Sequence, residues 1–205
     1  MDVRSLFGKL VALAAMIATG VMVRLALHEE IPNFAPVAGL ALFAGYFFRD
    51  RLLGAMVPVG IMFISNLVIG GYDLVTMVAV YGCLIAPALV GPWMRTWLPL
   101  EKPGLAPAAT SAVTILGGAA LSSLLFFVVT NLAVWAVGHG EDVPMYTADL
   151  AGLLRCYQMA LPFFRYTLAG DLCFAGLLFG TYGAAMQMGY DVGPVAKVAT
   201  EKRAS

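Results

Sequence analysis

One acid lies deep in an apolar run, Asp171 in the stretch LPFFRYTLAGDLCFAGLLFG (Leu161–Gly180), with a base, Arg165, near the start of that run. An ionisable side chain inside a bilayer costs on the order of 2.5–3.5 kcal/mol even on lenient insertion scales, so a residue kept there has a partner, water or a ligand. Arg165 and Asp171 point roughly 120° apart around one helix, so each needs its partner elsewhere. Candidate companions are Asn66 and Asn131, which sit in apolar runs, with Asn33, Tyr72, Trp135, Arg155 and Tyr157 toward the adjoining loops. Chemically this is a binding set. The amides and the carboxylate hydrogen-bond polar groups of a ligand, Arg155 and Arg165 attract a carboxylate or phosphate, and the rings of Tyr72, Trp135 and Tyr157 stack on a flat body.

Other chemistries find less support. No HExxH, GxSxG, phosphate-loop or dinucleotide glycine pattern occurs. The two histidines, His28 and His139, fall in loops beside acids and read as solvated charges rather than metal ligands. Cys83, Cys156 and Cys173 lack CxxC spacing and read as small apolar residues. Ser123, counted along its helix, falls deeper than Asp171, so no nucleophile and base share a depth. The sequence predicts no enzyme, no metal and no cofactor. Zero formal net charge gives no electrostatic case for nucleic acid.

The elements that position this set belong in a membrane. The chain is 61% hydrophobic and 12% charged, with mean hydropathy +0.87, against about 45–50% and 25% in soluble domains. At about 20 residues per span, it has room for about five or six helices. Apolar runs predict an all-α integral membrane bundle, a single domain over residues 1–205, with six transmembrane helices at about 7–27, 36–48, 52–71, 74–94, 109–137 and 163–189. Residues 1–25 read as a retained first helix, since no cleavage site follows Arg24. The second segment is short, roughly 18 Å against a 30 Å core, and reads as a thin span or a re-entrant one. Between the fifth and sixth spans, Leu150, Leu153, Leu154, Tyr157 and Leu161 share one face. Residues 147–161 are therefore expected to form an interfacial amphipathic helix, capped by Thr147 and ended by Pro162.

Lysine and arginine orient the bundle. Six spans with an inside start leave Arg24, Arg155 and Arg165 outside and the other cations inside, both termini included. Asn66, Asn131 and Asp171 then lie roughly 8–12 Å deep in the outer half. Ser123, Phe127, Asn131 and Trp135 recur every four residues on one face of the fifth span, which should point inward. On the first helix Ala14 and Ala18 form a small-xxx-small step that lets another helix approach closely.

PNFAPVAGLALFAGYFFRDR (Pro32–Arg51), ISNLVIGGYD (Ile64–Asp73), SLLFFVVTNLAVWAVG (Ser123–Gly138) and AGLLRCYQMALPFFRYTLAGDLCFAGLLFG (Ala151–Gly180) resemble an uncharacterised family of small bacterial multispan membrane proteins, which implies no activity. In layout the chain is more distantly similar to the substrate-binding S components of energy-coupling factor transporters. That likeness implies a bacterial inner-membrane location and a vitamin-like ligand entering from the outer side under the 137–163 segment. It also implies docking through Ala14 and Ala18 to a transmembrane subunit and its ATPase. The expectation is a substrate-capture subunit of a small-molecule importer. Its alternative is a structural or assembly subunit whose polar layer is interhelical packing.

Overall fold

The computed structural model describes residues 3–31, 34–98, 100, 108–138 and 144–190. Six α-helices account for most of these: α1 (Val3–Ala26), α2 (Val37–Phe48), α3 (Arg51–Ile69), α4 (Leu74–Trp97), α5 (Ala108–Gly138) and α6 (Leu150–Gln187). All but α2 are long and apolar enough to cross a membrane, and the chain is built as a multi-pass membrane protein.

α2 is the axis of the bundle. Each of its 12 residues is buried, and it packs against every other helix. Such a helix can be apolar all round because no face meets solvent or lipid. Its neighbours come close where side chains vanish. At Gly45 an added Cβ would run into the carbonyl of Ala88 on α4, and at Gly39 it would stand 2.7 Å from the backbone oxygen of Asp171 on α6. Arg49 takes a left-handed conformation (φ 58°) to turn the chain. Asp50 then caps α3 by accepting from the N–H groups of Leu52 and Leu53.

Contacts give the directions of the helices. Ile17 meets Gly60, Gly20 meets Ile61 and Arg24 meets Ser65 and Asn66, so α1 and α3 run parallel. Along α5 and α6 the Trp135–Thr147, Tyr157–Val128 and Ser123–Asp171 hydrogen bonds mark an antiparallel pair. The α1–α2, α3–α4 and α5–α6 links therefore share one end of the bundle. At the opposite end Tyr46, Phe43, Phe179 and Tyr182 interlock, with ring centroids 5.1–6.0 Å apart. Cys83 and Cys156 are buried, whereas Cys173 is exposed.

The expected interfacial helix is corrected. Residues 150–187 form one 38-residue helix that continues through Pro162. Proline removes one N–H donor and clashes with one carbonyl, which ends an isolated helix but is tolerated where neighbours support the backbone. Here α5 supplies that support. The Tyr157 hydroxyl donates to the Val128 carbonyl (2.7 Å), the Cys156 thiol to the Asn131 carbonyl (3.4 Å), and the Phe127 ring lies against Phe164 (4.7 Å). The cap is Asp149, not Thr147: its carboxylate accepts from the Gly152 N–H (2.7 Å) and from the Thr147 hydroxyl (2.6 Å).

Candidate functional site

α2 begins without a cap of its own. Pro36, at its N-cap, forms no side-chain capping bond, so the first N–H groups must find acceptors elsewhere. Asp171, 132 residues away in sequence, provides one. Its Oδ1 accepts from the Gly39 N–H at 2.8 Å, and its Oδ2 accepts from the Ser123 hydroxyl at 2.7 Å. The residue is 0% exposed. A carboxylate at a helix N-terminus also meets the positive end of the macrodipole. Asp171 is thus the cap of a buried helix, supplied in trans by α6.

Heights follow from register. With Gly45 against Gly54 and α2 antiparallel to α3, Gly39 stands across from about residue 60, roughly 13 Å from the end of α3 at Ile69. Measured along α5, Ser123 lies roughly 22 Å from Gly138. Asp171 is therefore nearer the middle of the bundle than a count from Phe163 gives, because α6 starts at Leu150. The same register corrects Ser123, which shares the level of Asp171. Depth is then no argument against a Ser–Asp pairing, although both side chains are wholly buried.

One turn or two above, toward the linked ends of α3 and α4, stands Arg24. Its Nη1 donates to Ser65 Oγ and to Asn66 Oδ1 (2.8 Å), and its Nη2 to the Tyr72 hydroxyl (3.4 Å). All three acceptors are neutral. Among the described residues the buried Asn66 Nδ2 has no hydrogen-bond partner. Between Arg24 and Asp171 lies a hollow of about 90 Å³, walled also by His28, Phe34, Tyr72, Phe126 and Thr167. A second hollow of about 190 Å³ adjoins it between α4, α5 and α6. Its walls include Phe127, Asn131, Phe163 and Phe164, and Tyr72, Phe126 and Thr167 line both.

The expected set divides accordingly. Asp171 and Tyr72 face the first hollow, Tyr72 and Asn131 the second, and Asn66 orients Arg24 without lining either. The Asn131 amide donates back to the Phe127 carbonyl (2.8 Å), and the Trp135 indole donates to the Thr147 carbonyl (3.0 Å). Ser123, Phe127, Asn131 and Trp135 do share the face that packs on α6. Asn66, Asn131 and Asp171, however, do not converge on one point. Arg155 and Arg165 are exposed and line neither hollow. Arg165 donates to the Tyr166 hydroxyl and lies over that ring (4.6 Å), where a cation gains some stabilisation without an acid. Tyr157 is held by α5. Asn33 lies outside the described residues. Ala14 and Ala18 are on an exposed face of α1.

Sequence reasoning undervalued Arg24. It ends a helix, where a snorkelling cation is unremarked, and its partners lie 41, 42 and 48 residues away. The signal in the sequence was Ser65-Asn66, a polar pair inside an apolar helix that must pack against something.

A helical multi-pass membrane protein with a charged hollow between its helices is the class this architecture defines. Residues 5–192 match the family of unknown function DUF6580, and the chain belongs to that family. No curated protein matches the chain, and neither does any solved structure.

Proposed function

We propose that this protein is a membrane-embedded capture subunit, taking a small solute from the outer side of a bacterial inner membrane and passing it to a transport partner. The observation that carries this reading is the hollow between Arg24 and Asp171, continuous in its walls with the larger aromatic hollow. Concave, largely apolar sites with a few oriented polar groups are where small ligands bind. At about 90 and 190 Å³ the two hollows are small beside the 300–1,000 Å³ of drug-sized sites, which favours a solute smaller than a vitamin. In this reading all helices including α2 carry the chain across, both termini are cytoplasmic, and Arg49, Arg51 and Arg95 lie on the inner side. The exposed Ala14–Ala18 face of α1 suits docking to a transmembrane subunit coupled to an ATPase.

A structural or assembly role is the second reading. It is favoured by the fact that Asp171, Asn131, Trp135 and Tyr157 all bond protein groups, as interhelical glue does. Native mass spectrometry of the full chain released from native membrane separates the two. A discrete small-molecule adduct, lost on Phe126→Ala while the protein stays folded, supports capture. Wild-type protein that flies bare from several mild detergents overturns it.

A further inference from the structure

Resting on the capture reading, we infer that the ligand is a small organic monoanion, its acid group on Arg24 in the first hollow and its apolar body in the second. A guanidinium has five N–H donors in a rigid fork. Two of those on Nη1 go to Ser65 and Asn66 and one on Nη2 to Tyr72. The Nε–H and the second Nη2–H have no acceptor among the described residues, and Nε and Nη2 share the edge of the guanidinium that takes a carboxylate in bidentate fashion. Among the described residues Arg24 bonds neutral groups and no carboxylate, so within that set its charge has no bonded counter-ion at the wall of the hollow. Asp171, the acid that lines the same hollow, has both oxygens engaged by Gly39 and Ser123, and the N-terminus of α2 offsets its charge. It therefore does not neutralise Arg24, and an incoming anion does not meet an uncompensated carboxylate.

The body of the ligand follows from the second hollow. Phe126, Phe127, Phe163 and Phe164 bound a space of about 190 Å³, suited to one ring or a short chain and too small for the two acyl chains of a phospholipid. Tyr72 and Thr167, which wall both hollows, mark the passage between head and body.

Binding of phenylacetate, phenylacetamide and inorganic phosphate to the full chain in phosphatidylcholine nanodiscs, read by calorimetry and thermal shift, tests this. Phenylacetate should bind at least about tenfold more tightly than its neutral amide, the difference being the charge-assisted bidentate pair. Phosphate, head without body, should bind more weakly than phenylacetate. Arg24→Gln should erase the preference for acid over amide, Arg24→Lys should keep part of it, and Phe126→Ala should weaken both probes. Arg165→Gln should change nothing. Because Arg24→Gln alone could disturb folding, the lysine variant and a thermal unfolding curve for each protein are read beside it. Equal binding of acid and amide, or a preference that survives Arg24→Gln, overturns the anion assignment while leaving capture of a neutral solute standing. Binding of none of the three probes, with tight binding of phosphatidylglycerol in mixed nanodiscs, replaces the solute by an anionic lipid and overturns the inference. A native spectrum without any adduct removes the capture reading itself.

Discussion

Two arginines at opposite ends of the bundle show how one residue type serves two ends. Arg95, on α4, donates to the Tyr46 carbonyl and to the Tyr182 hydroxyl (3.4 Å), and its guanidinium sits 4.6 Å from the centre of the Tyr46 ring. Tyr46 in turn donates to the Leu98 carbonyl (2.6 Å) and accepts from the Leu100 N–H (3.1 Å). Rings of α2 and α6 fill the space around it. Arg24, among the described residues, likewise bonds a hydroxyl and other neutral groups, but it borders a hollow. The difference is packing rather than charge. Where aromatic side chains close over a cation it fixes helices, and where they leave space the same cation is oriented but not used up.

The test with the largest expected effect asks whether the axis of both regions is rigid. Gly45→Val would press a branched side chain into the Ala88 backbone. It should cost more than about 3 kcal/mol, since overpacking against backbone cannot be relieved by a rotamer change. Loss of the monodisperse folded species in detergent is the readout. Next comes the cap. Asp171→Ala orphans the Gly39 N–H, whereas Ser123 retains the Ala119 carbonyl (3.1 Å). A cost of about 2–3 kcal/mol by chemical denaturation is expected, with Asp171→Asn near 1, because the amide oxygen still serves Gly39. If the asparagine variant proves as damaging as alanine, the buried charge itself and not the cap is what matters.

The two arginines are then compared directly. Arg95→Met should destabilise by about 2 kcal/mol, removing the bonds to the Tyr46 carbonyl and the Tyr182 hydroxyl and the cation over the Tyr46 ring. Arg24→Met should cost under about 1 kcal/mol, since the Ser65 hydroxyl keeps the Ile61 carbonyl (2.6 Å). Equal losses would erase the contrast between the ends. The smallest effect lies at the start of α6. The Thr147 hydroxyl, followed by the Gly152 N–H, holds the Asp149 carboxyl below its ordinary range. A depressed folded-state value means this stabilisation is present above the ordinary aspartate pKa of about 3.9 and fades as pH falls through the folded value. Faster amide exchange at residues 150–154 below about pH 4, absent in Asp149→Asn, should report it.

Helix positions were largely legible in the sequence because long apolar runs admit only one solution in a bilayer. The brevity of the 36–48 segment was equally plain, but its burial on all sides was not, since an all-round apolar helix reads the same whether it faces lipid or protein. Pro162 misled for a local reason. Its effect depends on whether a neighbouring helix holds the chain, and α5 does so through partners such as Val128 that carry no signal of their own.

By itself the sequence determined that this chain is an all-helical membrane protein with few polar side chains in its interior, because hydropathy is a sum over residues. Only the tertiary structure decided which of those groups meet. Asp171 went to the N-terminus of α2, Arg24 to Ser65 and Asn66, and Arg155 and Arg165 stayed outside. Hydrogen bonds and voids between helices depend on register and crossing, which no single helix encodes.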